Sequence, residues 1–142
     1  DANKKMVPLA YEIKHMRNYI ELEQMRLSQQ VRIEFEVDGP AEEVKVAPFL
    51  FMTFLENAFK HGVNPNGQGD WVQARLLVAN SQCRYTLRNS KGRPHQNEFS
   101  ESSGLGLLNV RRRLELSYPN RHRLVLMDNP DSYEVDLTIT LV

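Results

Sequence analysis

One apolar segment of the sequence carries a row of hydroxyl, amide and amino groups at helical spacing. Thr53, Asn57 and Lys60 follow one another at steps of four and three residues, which places them on one side of a helix. Glu56 and His61 flank this row. The rest of the helix is apolar: Phe51, Phe54, Leu55, Ala58 and Phe59. Because so aromatic a helix is buried on most of its circumference, the polar row must face water, other polar groups or a ligand. We therefore interpret it as a candidate site wall.

Two further segments have the composition of ligand-binding loops. A polar turn, RNSKG at residues 88–92, leaves a strand, and Gly104-Leu105-Gly106-Leu107 is placed to open a helix. A Gly-x-Gly at a helix N-terminus lets backbone N–H groups approach an anion closely, and the helix dipole favours phosphate there. A flexible loop end explains an isolated Gly-x-Gly equally well. The interpretation as a phosphate-binding site is therefore supported only if the three segments lie close together in the fold.

The periodicity of the chain predicts three helices and five strands. An apolar stripe of helical period predicts a first helix to about Gln29, and alternating residues 31–37 predict a strand. Pro48 is placed to open the second helix and Gly62 to close it. A hairpin over residues 72–87, an irregular segment over 89–104, a third helix from Gly104 and two final strands follow. This order predicts an α/β (α+β) two-layer sandwich, a mixed sheet with helices on one face.

Composition and charge limit the classes of protein to which this chain can belong. The 142 residues are enough for one domain, with 41% apolar and 25% charged residues and a formal net charge of zero. Zero charge gives no excess field for nucleic acid or an anionic membrane, and no apolar run is long enough to cross a bilayer. The single cysteine, Cys83, favours a reducing, cytoplasmic setting. The chain begins at Asp1 rather than Met, so we expect a domain of a longer protein.

Two motifs carry a resemblance to a known family. FLENAFKHG at residues 54–62 resembles the N box of LytS-type sensor histidine kinases, and GLGLLNVRRRL at 104–114 resembles their glycine-rich G box. VPLAYEI at 7–13, YIELEQMR at 19–26 and LELSYP at 114–119 are also similar to that family. The resemblance implies the Bergerat ATP-binding fold, in which nucleotide lies between helices and a mixed sheet. It implies a kinase-type ATPase domain over residues 7–142, preceded by a residual linker from an upstream dimerisation helix over residues 1–6.

The resemblance also implies site residues and cofactors. Asn57 matches the asparagine that holds Mg²⁺, and an amide oxygen suits that ion when phosphate oxygens and water complete its shell. Lys60 and His61 match positions that meet phosphate or ribose, although an i,i+4 pair with Glu56 explains Lys60 as well. The nucleotide-binding set so implied is completed by Asn89, Gly104, Leu105, Gly106 and Leu107, while Asn109 and Arg113 match the family pattern and are also explained by helix packing.

Two positions depart from the family pattern. Bergerat proteins commonly place an Asp, within Asp-x-Gly-x-Gly, against the adenine amino group, and this chain has Asn89 with fewer glycines after it. The Asn89 carbonyl can still accept that hydrogen bond, more weakly than a carboxylate. Related N boxes place a general base four residues before the Mg²⁺ asparagine, where this chain has Thr53. Glu56 is the remaining catalytic candidate, turned about 100° from Asn57 on the helix.

The function implied is the ATP-binding catalytic domain of a two-component sensor histidine kinase. Such a domain binds Mg·ATP and donates the γ-phosphoryl group to a histidine on an upstream domain absent from this chain, for relay to a response regulator. The resemblance further implies a cytoplasmic domain of an inner-membrane sensor, a dimeric parent and a monomeric fragment. Two alternatives stay open: a degenerate kinase-fold scaffold with little nucleotide binding, and a serine kinase of the anti-sigma type.

Overall fold

A five-stranded mixed sheet forms one layer of the protein. A computed structural model describes residues 6–27, 29–64, 69–91 and 96–141, of which 96–105 are described through their backbone alone. The strands are β2 (Arg32–Asp38), β4 (Trp71–Ala79), β5 (Gln82–Ser90), β6 (His122–Asp128) and β7 (Ser132–Thr140). The strand order is β2-β4-β5-β7-β6, with β2 parallel to β4 and every other neighbouring pair antiparallel.

Three helices form the second layer. They are α1 (Leu9–Arg26), α2 (Leu50–Gly62) and α3 (Gln96–Ser117), with α2 in contact with both other helices and with β4 and β5. The apolar stripe predicted for the first helix is buried, as is the aromatic side of α2. Tyr85 of β5 is fully buried beneath α2, and its hydroxyl donates to Phe51 O at 3.2 Å. The predicted two-layer architecture is confirmed.

The other face of the sheet carries ion pairs. Because side chains alternate along a strand, β5 and β7 bury one set of residues under the helices and expose the other. Arg84 pairs with Asp136 at 2.7 Å and Arg88 with Glu134 at 3.3 Å across these two strands. Exposed pairs of this kind contribute at most about 1 kcal/mol each. The core between sheet and helices therefore supplies most of the stability.

The ends of the first two helices differ from the sequence predictions. The first helix ends at Arg26 instead of continuing to Gln29. The second begins at Leu50, two residues later than predicted, because Phe49 takes a left-handed backbone conformation with φ 63°. A ribbon of two very short strands, β1 (Val7–Pro8) with β3 (Lys45–Val46), was not predicted, since two residues are too few to show a period of two.

The largest correction concerns the third helix. It was predicted to begin at Gly104 after an irregular segment, but α3 begins at Gln96. The sequence of residues 96–103 has no glycine or proline and includes Glu98 and Glu101, which are good helix formers. Gly104 and Gly106 therefore lie inside the helix rather than at its N-terminus. As a result, their N–H groups are not the exposed donors of a helix start that the sequence predicted.

Some predictions fall on residues outside the described part. These are most of the linker predicted over residues 1–6, the centre of the loop at 65–68, residues 92–95 and Val142. Within the described ranges, no helix is both long and apolar enough to span a bilayer.

Candidate functional site

A pocket of about 450 Å³ lies between α1 and α2. Its size falls in the range of small-molecule sites. Three of its residues, Glu56, Asn57 and Lys60, belong to the predicted polar row and its flank, so the structure brings them together at one surface. The other lining residues come from α1: Tyr19, Glu23 and Arg26. The pocket thus combines an amide with two carboxylates and two cations.

Asn57 also faces α3. A methyl group placed on Gly106 would lie 3.6 Å from Asn57 Nδ2, an ordinary van der Waals distance. Asn57 is half-buried, whereas Glu56 and Lys60 beside it on α2 are exposed. Asn57 therefore lies between the α1 pocket and the predicted glycine segment. The glycine lets α3 pass this amide without covering it with a side chain.

Asn89 of β5 lies beside the C-terminal end of α2. It is 5% exposed, and its Nδ2 donates to Ser90 O at 2.8 Å. A methyl group on Gly62 would lie only 2.2 Å from that Nδ2, so the close approach of β5 to α2 requires glycine at residue 62. Five residues of helix separate Asn57 from Gly62, about 7–8 Å along the axis. The two predicted amides are thus too far apart to share one small ion, and they suit opposite ends of a longer ligand.

A small polar network fixes this end of α2 to the sheet. The Ser90 hydroxyl accepts from Trp71 N at 2.9 Å and donates to Gly62 O at 3.3 Å. Asp70 accepts from Asn64 N at 3.1 Å, which holds the start of the loop after α2 against the start of β4. These bonds satisfy backbone groups at a helix end that would otherwise be orphaned. They also fix the backbone beside Asn89.

The N-terminal end of α2 is held by a buried carboxylate. Glu12 of α1 is 2% exposed and accepts from Phe49 N at 3.1 Å and Met52 N at 3.4 Å. Burial raises the pKa of Glu12, while the two N–H donors oppose that shift. Arg113 of α3 donates to Pro48 O. The structure thus supports the packing explanation for Arg113, and both neighbouring helices fix the position of α2.

The remaining predicted residues occupy different settings. The Thr53 hydroxyl donates to Phe49 O at 2.7 Å within its own helix. His61 is half-buried, and burial followed by the charge of Lys60 lowers its pKa, which favours the neutral imidazole. Leu107 packs against the core. Gly104 and Leu105 lie in the part of α3 described through its backbone alone. Within the described ranges, no three His, Cys, Asp or Glu side chains are grouped to hold a metal ion.

Comparison with known proteins gives relatives in sequence and in fold. No family model matches the chain. It is 33% identical over 60 residues to the sensor protein LytS of Bacillus subtilis, covering 42% of the chain and 10% of that protein. It is 25% identical over 126 residues to LytS of Oceanobacillus iheyensis, covering 80% of the chain and 21% of that protein. The chain thus spans about a tenth to a fifth of these relatives.

Solved structures share the whole fold. The nucleotide-free catalytic domain of histidine kinase ThkA matches with a TM-score of 0.67 and 14% identity over 96% of this chain and 94% of that one. The same kinase in complex with the response regulator protein TrrA matches with a TM-score of 0.63 and 16% identity, over 96% of this chain and 41% of that one. The chain is thus similar to LytS sensor proteins in sequence and to histidine kinase catalytic domains in fold. The expected fold is therefore confirmed, and the resemblance in the two boxes is part of a likeness over most of the chain.

The sequence alone did not identify the side of the pocket that α1 forms. Tyr19, Glu23 and Arg26 fall on the polar side of a helix whose apolar stripe explained it as a cover for the sheet. Their spacing of four and three residues was a usable signal, because it places three polar groups on one helix face. Glu12 was also missed: a lone carboxylate in an amphipathic helix gives no sign that it will cap another helix.

Proposed function

We propose that this domain binds Mg·ATP and supplies the γ-phosphoryl group that a sensor histidine kinase transfers to its phosphoacceptor histidine. Histidine kinase catalytic domains in general bind ATP with Mg²⁺. The observation that carries the proposal is the arrangement along α2: Asn57 and Lys60 at the charged pocket, and Asn89 at the far end beside Gly62. A nucleotide has this polarity, with a base at one end and phosphates at the other.

The base end is proposed at Asn89. Its amide NH₂ group donates to Ser90 O, so the carbonyl oxygen is the atom of this side chain proposed to accept from the base. An adenine amino group is such a donor, and the rejection of bases that lack it follows from leaving a buried carbonyl unpaired. Gly62 provides the space for this arrangement, since any larger residue would displace the Asn89 side chain.

The phosphate end is proposed at the pocket. The donor set fits a magnesium–phosphate group, because an amide oxygen is a hard ligand and Lys60 is a point charge for phosphate. Asn57 would hold the ion, which neutralises charge on the phosphates when bound. Gly106 leaves room beside Asn57 for phosphate oxygens. The predicted roles of Gly104, Leu105, Leu107 and His61 stay predictions, with Leu107 better explained by its packing.

The transfer step requires an acceptor and a partner. Phosphoryl transfer depends chiefly on positioning and charge stabilisation, so the domain would contribute a fixed site for the phosphate chain. The acceptor histidine is proposed on an upstream dimerisation domain of the same protein, and the phosphoryl group is proposed to pass to a response regulator. The similarity to LytS sensor proteins supports a position on the cytoplasmic side of a membrane sensor. Glu56, at the pocket, remains the catalytic candidate.

Calorimetric titration of the 142-residue chain with ADP and a non-hydrolysable ATP analogue, with and without Mg²⁺, tests the proposal. Asn57→Ala should weaken binding of both nucleotides and remove the effect of Mg²⁺. Asn18→Ala is the matched control, because it truncates an exposed asparagine on α1 that does not line the pocket. If Asn57→Ala binds as tightly as Asn18→Ala, the metal role of Asn57 is wrong.

One observation favours a second function. The neutral amide at Asn89, in place of the carboxylate common in this fold, weakens adenine recognition and is what a scaffold that acts through protein contacts would tolerate. A folded chain that gives no binding heat at millimolar nucleotide would support the scaffold and refute nucleotide binding. Transfer of phosphate to serine on a separate purified protein would instead support the anti-sigma type of kinase.

A further inference from the structure

Arg26 places a cation in the pocket that the motifs of α2 and α3 do not account for. It is the last residue of α1, and its side chain is 51% exposed. It lines the same pocket as Asn57 and Lys60. Two cations that line one pocket with an amide form a set that suits a phosphate chain better than an apolar or a cationic ligand.

The Arg26 guanidinium is held by Glu23, one turn earlier on α1. Its Nη2 lies 2.6 Å from Glu23 Oε1 and its Nε lies 3.4 Å from Glu23 Oε2. This two-point contact fixes the guanidinium at the pocket wall, and the hydrogen bond to Glu23 raises the pKa of Arg26. Glu23 itself is only 15% exposed. The pair is therefore preformed, with a carboxylate occupying two of the five N–H donors of the arginine.

Tyr19 completes this wall as a neutral hydroxyl. Burial, followed by the charges of Glu23 and Glu56, raises the pKa of Tyr19 to about 12. The ring is fixed by an edge-on contact with Phe59, with centroids 5.5 Å apart. The side chain thus supplies a donor that stays protonated at physiological pH. The two carboxylates at the pocket, Glu23 and Glu56, balance the charges of Arg26 and Lys60.

We infer that Arg26 is a phosphate-binding residue of this pocket, which exchanges Glu23 for phosphate oxygens when the nucleotide binds. The inference rests on the proposed function and adds a residue of α1 to it. Phosphate presents the same two-oxygen edge as a carboxylate and carries more charge, so it can replace Glu23 on the guanidinium fork. Because Arg26 is at the Asn57 pocket and Asn89 lies beside Gly62, five residues further along α2, its contact falls on the phosphates rather than the base.

The test compares Arg26→Ala with Arg84→Ala in the same titrations. Arg84 is the matched control, since it makes a similar exposed pair with Asp136 on the opposite face of the sheet. We expect Arg26→Ala to weaken binding of the ATP analogue about tenfold, the loss of one charge-assisted contact, and of ADP by a smaller factor. Arg84→Ala should leave both affinities within about twofold of the original chain.

Glu23→Gln should change nucleotide affinity in the opposite direction to Arg26→Ala. It therefore distinguishes a role of Arg26 in binding from a role in supporting α1. It removes a competing charge and releases the guanidinium, so the ATP analogue should bind more tightly. If Glu23→Gln weakens binding as much as Arg26→Ala, the pair acts only by supporting α1 and the inference is wrong. If the original chain binds nucleotide and Arg26→Ala matches Arg84→Ala, the inference fails while the proposed function stands. If the folded original chain binds no nucleotide, both fail together.

Discussion

Gly62→Ala tests the contact on which the base end of the site depends. The added methyl group would lie 2.2 Å from Asn89 Nδ2 and 2.8 Å from Ser90 O. The first clash is with the end of a short, buried side chain, and the second is with backbone held in β5. Rotating Asn89 relieves only the first and breaks its bond to Ser90 O. The structure must therefore shift at the junction of α2 and the sheet.

The expected loss of stability follows from three terms. Overpacking of a buried site costs about 1–3 kcal/mol, and the lost hydrogen bond about 1 kcal/mol more. Alanine recovers at most about 1 kcal/mol of helix propensity, and less at the last residue of a helix. We expect the free energy of unfolding in urea to fall by about 1–3 kcal/mol in total. Nucleotide affinity should fall as well, because Asn89 is displaced.

Gly106→Ala is the control for this prediction. Among the described residues its methyl group would meet only Asn57 Nδ2, at 3.6 Å, and residue 106 lies inside α3, so alanine should stabilise the domain by about 0.5–1 kcal/mol. The same methyl group narrows the space beside Asn57, which should weaken nucleotide binding. A Gly62→Ala chain as stable as the original, or a Gly106→Ala chain that loses stability, would refute the packing argument.

Three further perturbations have defined outcomes. Asn89→Asp should tighten ADP binding severalfold through a charged acceptor and lower stability, because its carboxylate faces Ser90 O; unchanged affinity in calorimetry would contradict the base role. Burial raises the pKa of Glu12 above 4.5, so the native state keeps a proton that the unfolded chain has lost. This proton stabilises the native state fully below pH 4.5, and the stabilisation is lost as pH rises through the folded-state pKa. The free energy of unfolding in urea should therefore fall from about pH 4 to about pH 7 in the original chain, by more than it does in Glu12→Gln. Tyr118→Phe removes the acceptor of Ala47 N at 2.9 Å and should cost about 1–3 kcal/mol in the same assay, whereas no loss would show that this bond is not needed.

The α2 motif shows what the periodicity of a sequence can predict. Spacing alone placed Asn57 and Lys60 on one side of a helix and the aromatic residues on the other, and the structure has both arrangements. This works because the helical period is a local property, fixed by backbone geometry. The start of α3 shows the limit. Gly104 suggested a helix start, yet residues 96–103 also favour helix, and no local rule ranks the two alternatives.

By itself, the sequence determined the layer architecture, the polar row of α2 and the family resemblance. Hydrophobic patterning and short motifs are encoded residue by residue, so they can be read without a fold. Only the tertiary structure decided what faces that row. Arg26 and Glu23 come from α1, Gly106 from α3 and Asn89 from β5. Contacts between such distant parts of the chain depend on how helices pack and strands pair. The contact of Asn89 with the end of α2, for example, needs both the passage of β5 beneath that helix and a glycine at residue 62.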